Sequence, residues 1–120
     1  MKILVIEDEK ILAQTIEKSL QQIGHEIELA FDGEEGLDRA NSVKDINLIL
    51  LDLMLPIKDG FTVLDELKQN EKTKNIPVII MSNIAEEAKI KQGEDMGANG
   101  YLIKSNLSIE ELSEIVNRFA

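Results

Sequence analysis

Five places in this chain hold side chains that could do chemistry: Glu7-Asp8, Phe31-Asp32, Asp52, Ser82-Asn83 and Lys104. Each follows a short apolar or alternating run, so each reads as the C-terminal end of a strand. If the strands are parallel, those ends lie along one rim, where open α/β sheets bind their ligands. Glu7, Asp8 and Asp52 would then crowd together with a hydroxyl, Ser82, and an ammonium, Lys104. Carboxylates crowded without a cation raise one another's pKa, and a hard divalent ion removes that penalty. Mg²⁺ suits the set, with Mn²⁺ as the alternative, because it takes oxygen ligands and shares phosphate oxygens while keeping several waters. An aspartate beside such an ion, a lysine and a hydroxyl is equipped to accept a phosphoryl group, since the cations and the hydroxyl offset charge on the transferring oxygens.

The elements that must position these groups alternate strictly. Strands are expected at Ile3 to Ile6, Ile27 to Phe31, Ile46 and Leu48 to Leu51, Val78 to Met81, and Tyr101 to Ile103. The first helix carries an apolar stripe of Leu12, Ile16, Leu20 and Ile23 and ends at Gly24. Asp32-Gly33 opens a short helix to about Ala40 with Leu37 inward, and a third helix after Gly60 turns Phe61, Val63, Leu64 and Leu67 inward. A weaker fourth, about Glu86 to Met96, is interrupted by Gly93 at about 1 kcal/mol relative to alanine. Ser108 and Glu111 form a capping box for the last, whose stripe is Ile109, Leu112, Ile115, Val116 and Phe119. Five strands alternating with five helices give an α/β class, a doubly wound parallel sheet with helices on both faces. His25, in a polar turn, reads as a surface residue, and Lys68, Lys72 and Lys74 as a solvated face.

Composition narrows the functions. The 120 residues make one domain, 1–120, with a core of useful size. A net charge of −10 repels nucleic-acid backbones and anionic membranes, so neither is an expected direct partner. The absence of cysteine excludes disulfides, thiolate metal sites and thiol nucleophiles. Met1-Lys2 runs straight into the first strand, leaving no signal peptide, and no apolar run approaches the roughly 20 residues that span a bilayer. The expectation is a cytoplasmic protein.

With these residues in hand, the chain resembles the receiver domain of two-component response regulators over its whole length, from Lys2 to about Phe119. The marks are the acidic pair Glu7-Asp8, Asp52 after the third strand, Ser82 after the fourth, and Tyr101-x-x-Lys104 at the end of the fifth. The resemblance implies a flavodoxin-like (βα)5 sheet of order 2-1-3-4-5. It implies that Asp52 is the phosphoacceptor, supplied by a sensor histidine kinase or phosphotransfer protein, and that Asp8, Asp52 and the Met54 carbonyl hold Mg²⁺ while Glu7 acts through water. Lys104 would contact the phosphoryl group, Ser82 would move to hydrogen-bond it, and Tyr101 would follow inward. That movement would repack the face of the fourth helix, fifth strand and fifth helix, which a downstream protein or effector domain reads.

Two residues depart from the family. Asn83 stands where it has a very small residue, so Asn83 would crowd or hydrogen-bond the phosphoryl group. Ser105 stands where it has a proline with a cis bond, which a serine would hold only at roughly 3 kcal/mol or more. Both bear on efficiency and switching amplitude. Met54 and Ile84 flank the water path with apolar groups, so spontaneous loss of the phosphoryl group is expected to be slow. The competing readings are a pseudo-receiver kept only for protein binding and an aspartyl-phosphatase. The phosphatase wants a second aspartate two residues after the nucleophile, where this chain has Met54, and the chain offers no cap insertion.

Overall fold

A computed structural model describes all residues, Met1–Ala120. Strands β1 (Lys2–Ile6), β2 (Glu26–Ala30), β3 (Leu48–Asp52), β4 (Val78–Ser82) and β5 (Gly100–Ile103) form one parallel sheet in the order β2-β1-β3-β4-β5. Helices α1 (Lys10–Gln22), α2 (Gly33–Ser42), α3 (Gly60–Gln69), α4 (Glu87–Asp95) and α5 (Ile109–Asn117) connect and cover it.

Alternation along the strands sorts side chains into two cores. Ile3, Val5, Leu48, Leu50, Ile79 and Met81 pack with Ile16 and Leu20 of α1 and Leu112 and Val116 of α5. Leu4, Ile6, Ile49, Leu51, Val78 and Ile80 pack with Ala40 of α2 and Val63, Leu64 and Leu67 of α3 on the other face. A strand covered on both faces can be wholly apolar, as β1, β3 and β4 nearly are. Each such side chain contributes roughly 1.5–3 kcal/mol by leaving water.

Local signals end the elements where expected. At the end of α1, Gly24 takes φ +97 and its N–H donates to Gln21 O, while His25 N–H donates to Leu20 O, a Schellman closure that favours a residue without Cβ. Asp32, Asp59 and Ser108 cap α2, α3 and α5 by accepting from Glu35, Thr62 and Glu111 N–H.

Several sequence expectations need correction. Ile23 lies past the last turn of α1 as its cap and is 47% exposed, and Ile109, at the first turn of α5, is 38% exposed. Leu37 is only half-buried, because Gly33, Gly36 and Ala40 form the inner face of α2. Gly93 is the buried residue of α4: a Cβ there would lie 2.7 Å from Ile80 Cδ1, so its smallness lets the helix approach the sheet. His25 is buried, between the Met1 amine at 3.1 Å from Nδ1 and Asn117 Oδ1 at 3.1 Å from Nε2. Lys68 is half-buried and donates to the carbonyls of Ile76 and Lys74, so it belongs to the structure rather than to a solvated face. Burial pulls its ammonium pKa below the ordinary value.

Candidate functional site

The chain reverses its order between β1 and β3, so those two strands deliver their C-terminal residues side by side. Glu7 follows β1 and Asp52 closes β3; both are buried, while Asp8 is exposed. Carboxylate oxygens of Glu7, Asp8 and Asp52 all lie within 4.8 Å of one another. Lys104, in the single 3-10 turn Lys104–Asn106 after β5, reaches in from the other side. Its Nζ lies 2.5 Å from Glu7 Oε1, 3.1 Å from Asp52 Oδ2 and 3.8 Å from Glu9 Oε1. Glu9, which sequence reasoning left out, thus joins the rim, although it is largely exposed.

The charges do not balance. One ammonium faces the buried Glu7 and Asp52 together with Asp8 and Glu9 at the surface. Burial pushes the Glu7 carboxyl up to about 7, helped by the Asp52 charge and opposed by Lys104 and the Glu9 N–H. Burial pulls Lys104 down, but its hydrogen bond to Glu7 and the pull of Asp52 outweigh that, and its pKa stands above the ordinary value. Glu7 Oε1 is fully buried and has no hydrogen bond beyond the ion contact with Lys104. A buried oxygen so placed, among carboxylates with too little positive charge, fits a hard divalent cation.

The loops complete the rim. Asp52 Oδ1 accepts from the Met54 N–H at 3.2 Å, which turns the chain back at the acceptor and leaves the Met54 side chain 67% exposed. Ser82, fully buried at the end of β4, accepts from Ile84 N–H at 3.1 Å. Tyr101 is half-buried, and its hydroxyl donates to Ile84 O at 2.6 Å. Burial raises its pKa. Asp32 has no part in the cluster; it caps α2. The Lys104-Ser105 peptide is trans. Asn83 Oδ1 accepts the Ser105 N–H at 3.0 Å.

Such a rim can bind a metal and present one fixed carboxylate to an electrophile between an ammonium and a hydroxyl. Comparison with known proteins points the same way. Residues 3–117 match the family model described as the response regulator receiver domain. The response regulator ArlR of Staphylococcus saprophyticus is 39% identical over 92% of this chain and 48% of its own length. Among solved structures, the receiver domain of Francisella response regulator 1452 is 35% identical, with a TM-score of 0.90 over 98% of this chain and 94% of that one. The receiver domain of the sensor histidine kinase PA1611 from Pseudomonas aeruginosa, solved with a magnesium ion in its active site cleft, is 28% identical. Its TM-score is 0.87, over 98% of this chain and 95% of that one. The chain spans less than half the length of the first curated relatives it matches.

Proposed function

Because the chain belongs to the response regulator receiver domain family of two-component signalling, we propose that residues 1–120 act as one receiver unit whose phosphoacceptor is Asp52. The convergence of Glu7, Asp8, Asp52 and Lys104 at the β1/β3 crevice carries this reading. A carboxylate oxygen of Asp52 attacks the phosphorus of a phosphohistidine on a sensor kinase or phosphotransfer protein. The P–N bond breaks, the imidazole leaves, and an acyl phosphate remains on Asp52. Water later cleaves the acyl phosphate, returning the carboxylate and inorganic phosphate.

Asp8, Asp52 and the Met54 carbonyl would hold Mg²⁺, with Glu7 reaching it through water. The ion offsets charge on the phosphoryl oxygens. Lys104, already pointed at Asp52 Oδ2, moves its ammonium to a phosphoryl oxygen as a compact point charge. Ser82 gives the phosphoryl group its hydroxyl proton as a hydrogen bond. Ile84 N–H is then released, and with it the Tyr101 bond to Ile84 O, so that the α4-β5-α5 face repacks for a downstream protein or effector domain. The chain is a switch that catalyses only its own phosphorylation and slow dephosphorylation, and we place it in the cytoplasm; no helix is long and apolar enough to cross a membrane.

The test is incubation with a small acyl phosphate, with and without Mg²⁺, on wild type and Asp52→Asn, read by intact mass. A phosphoryl-sized gain is expected only in wild type with the metal. A gain indifferent to both would overturn the assignment.

A further inference from the structure

The β4–β5 ladder ends at the pair Ser82 and Ile103, after which the chain leaves the sheet in two separate loops. One begins with Asn83 and carries the switch hydroxyl just before it; the other begins with Lys104. A side chain takes over where the ladder stops. Asn83 Oδ1 accepts the Ser105 N–H at 3.0 Å, across 22 residues of sequence. The turn Lys104–Asn106 is closed by Leu107 N–H donating to Lys104 O at 3.2 Å. The N–H groups at the start of such a turn have no partner within it, and Asn83 supplies one. A proline at 105 would have no N–H to offer.

We infer that Asn83 is a positioning residue of the phosphoacceptor site, its carboxamide clasping the loop that carries Ser82 to the turn that carries Lys104. The inference rests on the Asp52 reading above and adds a residue to it. Lys104 must hold its ammonium against both Glu7 and Asp52, 2.5 and 3.1 Å away, from a solvent-exposed turn beside an edge strand. A loose turn would spread the ammonium over many positions, and misplacement of a charged group by an ångström is enough to slow a transfer. Residues 82 and 84 are tied to each other and to Tyr101, whereas Asn83 is tied to the lysine turn. The clasp therefore couples the hydroxyl and the ammonium, so that the two groups meet a phosphoryl group as one unit.

The test compares wild type, Asn83→Ala and Asn83→Asp by amide hydrogen exchange at Ser105 and by the initial rate of phosphoryl gain from a small acyl phosphate at saturating Mg²⁺. Asn83→Ala should lose protection at Ser105 by about fivefold, the size of one net hydrogen bond. Its phosphorylation rate should fall by about threefold or more, with the Mg²⁺ midpoint unchanged. Asn83→Asp keeps the acceptor, so it should restore Ser105 protection, and at high salt, where its added charge is screened, the rate as well. Unchanged Ser105 exchange in Asn83→Ala would overturn the clasp. Lost protection with a rate equal to or above wild type would overturn its positioning role. A wild-type protein that takes no phosphoryl group would sink the Asp52 reading and this role with it, a result told apart because Ser105 exchange reports the bond independently.

Discussion

Strands β3 and β5 lead to the carboxylate and the ammonium of the same site, Asp52 and Lys104, yet they are held differently. Every residue of β3 is buried, and the strand has neighbours on both sides, β1 and β4. Every residue of β5 is only half-buried, and the strand lies at the sheet's edge with β4 as its one partner. Asp52 therefore sits on backbone that is buried and paired on both sides, while Tyr101 and the turn that carries Lys104 belong to a half-buried edge. On the proposed function a phosphoacceptor must stay put while its surroundings respond, and this contrast between centre and edge suits that division of duties.

Matched truncations should expose the difference most strongly. Leu50 of β3 and Leu102 of β5 pack in the same cluster, the first fully buried and the second half-buried. Leu50→Ala should cost about 4 kcal/mol in chemical denaturation and Leu102→Ala about 1 kcal/mol; equal losses would erase the contrast. Next in size is the buried acid beside β3. The Glu7 pKa is raised from 4.5 to about 7 in the folded chain, so the fold favours its protonated form. Stability from this group is fully present below pH 4.5 and is lost as pH rises towards 7. Glu7→Gln should therefore gain on wild type as pH rises through that window, by about 1–2 kcal/mol without metal once screening and the lost charge contact with Lys104 are discounted, read from denaturation at several pH values. A flat difference would mean that Glu7 is not held in this way.

Towards the edge of the sheet, Gly93→Ala sets a helix-propensity gain of about 1 kcal/mol against overpacking of about 1–3 kcal/mol where the new Cβ meets Ile80. The net expectation is a loss of about 1 kcal/mol in thermal unfolding, and a gain would show that α4 is not pressed on the sheet. The smallest effect lies in the β3–α3 loop. Ile57 is 74% exposed and holds φ +70, a region that penalises β-branched residues. Ile57→Asn should stabilise by about 1 kcal/mol or less by denaturation; a loss would mean that the isoleucine makes contacts beyond those seen.

Much of this was legible because it is local. Apolar runs and caps place the strands and most helices, and the residues that end the runs include Glu7, Asp8, Asp52, Ser82 and Lys104. What escaped depends on partners far along the chain. His25 looked exposed beside Gly24 because nothing local shows that Asn117, 92 residues on, comes to meet it. Gly93 looked like a flaw in a helix, yet its reason is Ile80 on another element. Asn83 and Ser105 looked like two separate oddities, and only the end of the β4–β5 ladder shows them to be one bond. Glu9 carried no signal beyond its neighbours, since a third acid in a row also reads as the start of a helix.

Amide hydrogen exchange on the wild-type chain, before and after phosphorylation in the presence of Mg²⁺, tests the division between centre and edge most directly. The amides of Leu48 to Leu51 should keep their protection, while those of 82–84, α4 and 101–106 should change rate. Changes concentrated in β3, or none along the β5 edge, would contradict the account.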